Sequence, residues 1–242
     1  MKYLIAIPAC KNLTYGLWES TESPHFDPKH AYLGKGYGTN IHVSGPNDRI
    51  EAIRDTWAKD VPDEMCLKFF YGGLPKPHEP DHWFMTGPDE ITLPVEDDYA
   101  HLPHKVVAIF RWALAEEYDY VLKCDDDTYV WPERALEEIR WKQWQYAGYM
   151  AHPGSYISGG PGYWLGRKAM QIIAEVQPWT WAEDMIVGET LYKHHIKGYE
   201  LKTHLCGLAD HWVSPDRDFT GAVTAHAVRA EHMRLIYDRE HP

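Results

Sequence analysis

Short apolar segments alternate with amphipathic helical patterns along this chain of 242 residues, and that alternation limits its fold more than any other feature. Apolar runs bounded by Pro, Gly or polar residues predict strands at 2–7, 67–71, 90–93, 118–124 and 163–165. Apolar side chains at helical spacing predict helices at 48–57 and 102–114, and helices that begin at Pro132 and Glu183. Strands that alternate with helices indicate an α/β fold with a mainly parallel central sheet flanked by helices.

The domain organisation is expected to be simple. The chain has no internal repeat and no low-complexity linker, so we expect a single domain over residues 1–242. Residues 11–46 are rich in Gly, Pro, His, Ser and Tyr without a sustained period, which predicts an irregular insertion at about 11–46. An insertion of that length is typical of a functional loop or lid. The 44% of apolar residues can form a substantial core, so a disordered chain is excluded.

Charge and cysteine usage narrow the possible partners and the location. The formal net charge is −12, which repels a phosphate backbone, so we expect no extended nucleic-acid-binding surface. The apolar stretch before Pro8 is too short for a signal peptide or a membrane span, and no later segment is long enough. The four cysteines are scattered and predict reduced thiols, with zinc binding as the alternative. We therefore expect a soluble, cytoplasmic protein.

The predicted strand at 118–124 runs directly into three aspartates, Asp125, Asp126 and Asp127. Two carboxylates that are two residues apart on extended backbone point to the same side and repel each other. A divalent cation relieves that repulsion, and oxygen ligands favour Mg²⁺ or Mn²⁺. A solvated acidic turn or a helix N-cap before Thr128 is the alternative. The position after a parallel strand, where α/β sheets bind ligands, favours the metal.

Aromatic side chains with a polar edge are in excess, since the chain has 11 Trp and 16 Tyr but only 6 Phe. Such rings suit either a core or a sugar-binding cleft. The patterns predict core positions for Trp57, Trp112 and Trp164. They predict loop positions, or positions beside motifs, for Trp18, Trp83, Trp179, Trp181 and Trp212.

Five stretches, in order, resemble the β-1,3-glycosyltransferases of glycosyltransferase family 31. One of them, residues 118–130, resembles the family's metal-binding strand, and the other four resemble its helix, loop and turn motifs. Those four are RIEAIRDTW at 49–57, YAHLPHK at 99–105, GGPGYWLGR at 159–167 and EDMIVG at 183–188. The resemblance implies a GT-A fold and a metal-dependent, inverting transfer of a sugar from a UDP-sugar to an acceptor hydroxyl, with a β-1,3-like linkage.

The resemblance also implies roles for individual residues. Asp184 would be the general base, and Glu183 would support it or contact the acceptor. Asp127, Asp125 and His226 would bind Mn²⁺, with Mg²⁺ as an alternative. The donor would contact Pro8, Ala9, Arg54, Lys105, Asp125, Asp126, Gly159 and Gly160. The acceptor would stack near Trp179 and Trp181, and the insertion could add Tyr15, Trp18, Tyr32 and Tyr37.

Each of these residues has a purely structural alternative. Arg54 and Lys105 could form ion pairs, Glu183 and Asp184 could stabilise a helix N-terminus, and the glycines could form a tight turn. His226 could lie at the edge of the core, and the aromatic residues of the insertion could pack locally. Two other functions remain open for the whole chain. One is another metal-dependent nucleotidyl or phosphoryl transferase, and the other is a non-catalytic carbohydrate-binding module.

Overall fold

The fold is described from a computed structural model that covers residues 1–10, 12–14, 44–46, 48–73, 83–150, 156–207 and 212–242. Most of the expected insertion at about 11–46 lies outside these residues, including Tyr15, Trp18, Tyr32 and Tyr37. Its two described segments, β2 (Asn12–Thr14) and β3 (Ser44–Pro46), pair with each other in antiparallel orientation.

An eight-stranded sheet organises the molecule. Its strands, in spatial order, are β11 (Tyr199–Glu200), β9 (Tyr146–Gly148), β10 (Tyr163–Gly166), β7 (Tyr120–Lys123), β1 (Tyr3–Pro8), β4 (Met65–Gly72), β6 (Glu90–Leu93) and β5 (Phe84–Met85). The central strands β7, β1, β4 and β6 are parallel to one another, whereas β10 is antiparallel to both β7 and β9. A small second sheet contains β12 (His204–Leu205), β13 (Thr224–Ala225) and β8 (Tyr129–Val130).

Helices cover both faces of the large sheet. They are α1 (Asp48–Asp55), a 3₁₀ helix (Trp57–Asp60), α2 (Leu102–Ala115), α3 (Pro132–Lys142), α4 (Arg167–Ala174), α5 (Glu183–Lys193) and α6 (Ala230–Glu240). Successive side chains of β1 point to opposite faces of the sheet and pack into two apolar clusters. Ile5 and Ile7 belong to one cluster, and Leu4 and Ala6 belong to the other. The first cluster includes residues of α1, α3 and α6, and the second includes residues of α2, α4 and α5.

These observations confirm the predicted α/β fold with a mainly parallel central sheet. The core positions predicted for Trp57, Trp112 and Trp164 are confirmed, since all three side chains are buried. The helix α5 ends at Lys193, and His195 beyond it adopts a left-handed conformation, with φ of 61°. Among the described residues, no helix has both the length and the apolar character that a membrane crossing requires.

The topology brings four chain segments to one edge of the sheet. The parallel strands β1, β4 and β7 all end there, and the aspartate triplet follows β7 after Cys124. Because β10 is antiparallel to β7, with Tyr163 opposite Lys123, the segment 159–162 before β10 reaches the same edge. The edge where ligands bind in α/β sheets therefore holds both the acidic triplet and the glycine turn.

Candidate active site

Asp127 and His226 form the centre of a cluster at this edge. The Nε2 atom of His226 lies 3.2 Å from Oδ1 of Asp127, and ligand atoms of Asp125, Asp127 and His226 all lie within 4.8 Å of one another. Among the described residues, the buried Oδ1 of Asp127 accepts no hydrogen bond of good geometry, despite the nearby imidazole. On the other side of the ring, Nδ1 of His226 lies 3.9 Å from Sγ of Cys206.

The electrostatics of this cluster favour charged side chains. Burial alone would raise the pKa of Asp127, but His226 and Arg49 outweigh it and lower that pKa to about 2. Burial would likewise lower the pKa of His226, and the charge of Asp127 outweighs it and raises that pKa. An ionised carboxylate with a buried oxygen that lacks a hydrogen bond fits a cation ligand, and a cation bound there would replace the proton on the His226 imidazole. Imidazole nitrogen with carboxylate oxygen suits Mn²⁺.

Arg49, for which the sequence predicts no role, is the cation beside the triplet. Its NH1 atom lies 2.9 Å from Oδ1 of Asp126 and 3.8 Å from Oδ2 of Asp127, and its side chain is only 10% exposed. The motif at 49–57 contains both Arg49 and Arg54, and the spacing alone does not distinguish between them. The guanidinium of Arg54 instead forms hydrogen bonds with Asp89 and Glu90. These contacts agree with the structural alternative for Arg54, which is an ion pair rather than a contact with the donor.

The glycine turn closes over the triplet. The carbonyl oxygen of Gly160 accepts a hydrogen bond from Oγ1 of Thr128 at 2.8 Å and another from the backbone N–H of Asp125. A Cβ atom on Gly160 would lie 2.5 Å from Nε2 of His226, so only glycine leaves room for the imidazole. Gly162 has φ of +91°, a conformation that favours glycine. The turn therefore contributes both the conformation and the space that the cluster needs.

Lys123 lies fully buried beneath the site. Its Nζ atom donates to Oδ1 of Asp125 at 2.8 Å, to Oε1 of Glu183 at 2.6 Å and to the carbonyl oxygen of Gly159 at 3.2 Å. The other carboxylate oxygen of Glu183 accepts a hydrogen bond from the hydroxyl of Tyr163 at 2.8 Å. Both oxygens of Glu183 are thus engaged inside the protein, which favours the supporting role for this residue over contact with an acceptor.

Asp184 is the next residue along α5. Its Oδ2 accepts a hydrogen bond from the backbone N–H of Gly159 at 3.3 Å, and its Oδ1 accepts one from the N–H of Met185. Burial, and then the charge of Glu183, raise the pKa of Asp184 to about 7, against the opposing effect of those two hydrogen bonds and of Lys123. A carboxylate with such a pKa can accept a proton near neutral pH.

The remaining predicted residues lie around this centre. Pro8 and Ala9 are buried at the end of β1, and Nζ of Lys105 donates to the carbonyl oxygen of Ala9 and to Oδ1 of Asp97, each at 2.7 Å. Lys105 thus braces the end of β1 in the structure. Trp179 and Trp181 are 51% and 40% exposed.

Tyr99 is a further aromatic residue at the site. Its ring centroid lies 6.4 Å from that of Trp181. Desolvation of its phenol group, and then the charges of Asp125 and Asp184, raise the pKa of that group, although 49% of the residue is exposed. Tyr99 therefore lies between the triplet and the exposed tryptophans. It begins the YAHLPHK motif, so the sequence contained a signal for it.

Comparison with known proteins adds independent information. Residues 48–155 match the family described as Galactosyltransferase. "Probable beta-1,3-galactosyltransferase 12" of Arabidopsis thaliana is 32% identical over 100 residues, which cover 36% of this chain and 27% of that protein. "Probable beta-1,3-galactosyltransferase 13" of the same plant is 28% identical over 120 residues, which cover 44% and 34%. The matched stretches thus span about a third or less of these relatives.

One solved structure resembles nearly the whole chain. A glycosyltransferase involved in the glycosylation of the major capsid of PBCV-1 aligns with 97% of this chain and 100% of its own, with a TM-score of 0.50 and 16% sequence identity. At that identity the likeness concerns the fold, which agrees with the α/β architecture described above.

Proposed function

We propose that this protein is a metal-dependent, inverting glycosyltransferase, because residues 48–155 match the family described as Galactosyltransferase. It moves a sugar from a UDP-sugar donor to an acceptor hydroxyl and forms a β-linkage of the β-1,3 type. UDP-galactose is the first donor to test, because the family description and both plant relatives name galactose transfer. A cytoplasmic location stays a prediction.

The cation would be held by Asp125, Asp127 and His226. Support for this part of the proposal comes from the buried Oδ1 of Asp127, which accepts no hydrogen bond within the described part of the chain. Bound there, Mn²⁺ or Mg²⁺ would supply positive charge that offsets the negative charge of the diphosphate. Asp126 and the glycine turn would contact the donor, together with Pro8 and Ala9, whereas Arg54 and Lys105 pair with acidic side chains instead.

Asp184 would act as the general base. As the acceptor oxygen forms its bond to the anomeric carbon, Asp184 takes the hydroxyl proton, and the bond from that carbon to the phosphate oxygen breaks with its electron pair leaving on UDP. A pKa of about 7 lets Asp184 accept the proton near neutral pH and release it to solvent afterwards. The exposed rings of Trp179 and Trp181, with Tyr99, offer apolar faces on which a sugar acceptor can stack.

The single observation that carries the proposal is the proximity of a cation cluster to a base. Gly160 contacts the cluster through Thr128 and the N–H of Asp125, and its neighbour Gly159 donates to Asp184. One glycine turn therefore links the metal ligands to the base, which is the arrangement that transfer from a metal-bound diphosphate donor requires.

The proposal is tested by incubating the purified protein with UDP-galactose and other UDP-sugars, with Mn²⁺ or with EDTA. We expect Mn²⁺-dependent release of UDP, and mass spectrometry of the products should detect a transferred hexose. Asp127→Asn should abolish the release, whereas Asp218→Asn, which alters an exposed turn, should not. Transfer of a nucleotidyl or phosphoryl group, or sugar binding that survives EDTA without any turnover, would overturn the proposal.

A further inference from the structure

Lys123, buried beneath the site, contacts both a residue of the candidate metal site and the first residue of the helix that carries the proposed base. Lys123 is 0% exposed, and its ammonium group has three donors, which match its three acceptors on Asp125, Glu183 and Gly159. A charge that far inside a protein is costly unless it is fully paired. The pairing is complete here, so the ammonium group holds its acceptors at fixed distances from one another.

Those acceptors belong to the two halves of the proposed reaction. Asp125 is a ligand candidate of the cation cluster, whereas Glu183 opens α5 and directly precedes the proposed base, Asp184. The peptide group of Gly159 completes the connection. Its carbonyl oxygen accepts from Lys123, and its N–H donates to Oδ2 of Asp184.

The second carboxylate oxygen of Glu183 is also paired inside the protein. Tyr163 donates to Oε2 of Glu183, and the Glu183 side chain is only 6% exposed. Neither Lys123 nor Glu183 can therefore reach a substrate. Without the ammonium group of Lys123, the carboxylates of Asp125, Glu183 and Asp184 would have no positive charge between them, and their mutual repulsion would move the N-terminus of α5 away from the sheet edge.

We propose that Lys123 is a positioning residue that sets the separation between the metal-binding edge and the proposed base. It acts through Glu183 and Gly159 on Asp184 and directly on Asp125. This inference rests on the proposed function and extends it to a residue that touches neither donor nor acceptor. Misplacement of a reacting group by about 1 Å can lower a rate by about 10²-fold, which gives the scale of the expected effect.

The test compares Lys123→Met, Glu183→Gln and the double variant, using Mn²⁺-dependent hydrolysis of UDP-galactose, in which water is the acceptor. We expect Lys123→Met to lower kcat by about 10²-fold while the KM for UDP-galactose changes by less than about threefold, because the base rather than donor binding is displaced. The double variant should lose no more than Lys123→Met alone, because residues that act through one network are not additive.

Two further variants separate positioning from simple instability. Ile139→Ala removes a fully buried side chain from α3 and should lower Tm with kcat unchanged. Tyr163→Phe removes one hydrogen bond from Glu183 and should lower kcat by about threefold to tenfold, so the network can be probed even if Lys123→Met does not fold.

The outcomes distinguish a failure of the proposed function from a failure of the positioning role of Lys123. If the unaltered protein turns over no UDP-sugar, the proposed function is overturned and the role of Lys123 with it. If the unaltered protein is active, two results overturn the role of Lys123 alone. One is a loss of kcat that merely follows Tm across Lys123→Met and Ile139→Ala. The other, where Lys123→Met does not fold, is a Tyr163→Phe variant with unchanged kcat.

Discussion

The Nε2 atom of His226 lies 3.2 Å from Oδ1 of Asp127 because a short strand pair brings their segments together. In the small sheet, Ala225 of β13 lies opposite Tyr129 of the antiparallel strand β8. His226, which follows β13, therefore lies beside the segment that contains Asp127 and precedes β8. The backbone N–H of Val228 also donates to the carbonyl oxygen of Asp127 at 2.8 Å. The backbone thus holds the two side chains together independently of any ligand.

We predict that Asp127→Asn and His226→Ala each weaken Mn²⁺ binding at least tenfold, because each removes a ligand atom from the cluster. Isothermal titration of the purified variants with MnCl₂ measures the effect. His232→Ala is the matched control, since its imidazole contacts the carbonyl oxygen of Val213 instead. Mn²⁺ affinity that is unchanged in both variants would contradict the assignment of the cluster.

Gly160→Ala is expected to weaken Mn²⁺ binding about tenfold by displacing His226 rather than by removing a ligand. The added Cβ atom would lie 2.5 Å from Nε2 of His226, within the imidazole's contact distance. The same titration reports the change. Gly87→Ala serves as the control, because its Cβ atom would meet the Glu90 side chain at an ordinary 3.4 Å. Equal Mn²⁺ affinity in the two variants would show that the turn tolerates a side chain.

The secondary structure was more accessible from the sequence than the site was. The predicted strand at 90–93 and the starts of α2, α3 and α5 agree with the structure because apolar period and Pro or acidic residues mark them locally. The predicted helix at 48–57 is interrupted after Asp55 and continues as a 3₁₀ turn from Trp57. Local sequence patterns therefore predict well where helices and strands begin.

Local sequence patterns do not predict contacts between side chains that are distant in the chain. The strands β8, β12 and β13 have two residues each, too few for a period, so only family resemblance pointed to His226. Lys123 is a charged residue in an apolar strand, and its partner Glu183 is distant in the chain. Whether Arg49 or Arg54 faces the triplet depends on the orientation of α1, which the spacing of the motif does not specify.

The activity should depend on pH through Asp184. Its pKa of about 7 means that the carboxylate is protonated below neutral pH and cannot accept the acceptor proton. We therefore expect kcat to rise as the pH increases through about 7. A pH series of Mn²⁺-dependent UDP release measures it. A kcat that is flat between pH 5.5 and pH 8.5, a range chosen to span about 1.5 pH units on each side, would exclude Asp184 as the base.

Asp184→Asn should also stabilise the protein in a pH-dependent way. The folded-state pKa of Asp184 is raised above its unfolded value, so its ionisation opposes folding as the pH rises from about 4 to about 7. Asparagine stays neutral at every pH. The Tm difference between Asp184→Asn and the unaltered protein should thus increase from pH 5 to pH 8, while UDP release is lost. A difference that does not vary with pH would mean that the carboxylate titrates normally.

Two fully buried tryptophans differ in a way that stability measurements can detect. Among the described residues, Nε1 of Trp57 has no hydrogen-bond partner, whereas Nε1 of Trp164 donates to Oε2 of Glu138 at 3.1 Å. Substitution by Phe removes the same atoms from each, but only Trp164→Phe removes a hydrogen bond. We expect Trp164→Phe to cost about 1 kcal/mol more than Trp57→Phe, because that is the net contribution of a typical intramolecular hydrogen bond.

Chemical denaturation with urea measures both losses in the free energy of unfolding, and the thermal midpoints should differ by about 2–4 °C in the same order. The carboxylate of Glu138 keeps its contacts with Thr203 and His204, so the larger cost reflects the lost tryptophan hydrogen bond and not a stranded charge. An equal or larger cost for Trp57→Phe would mean that the indole N–H of Trp57 has a partner in solution.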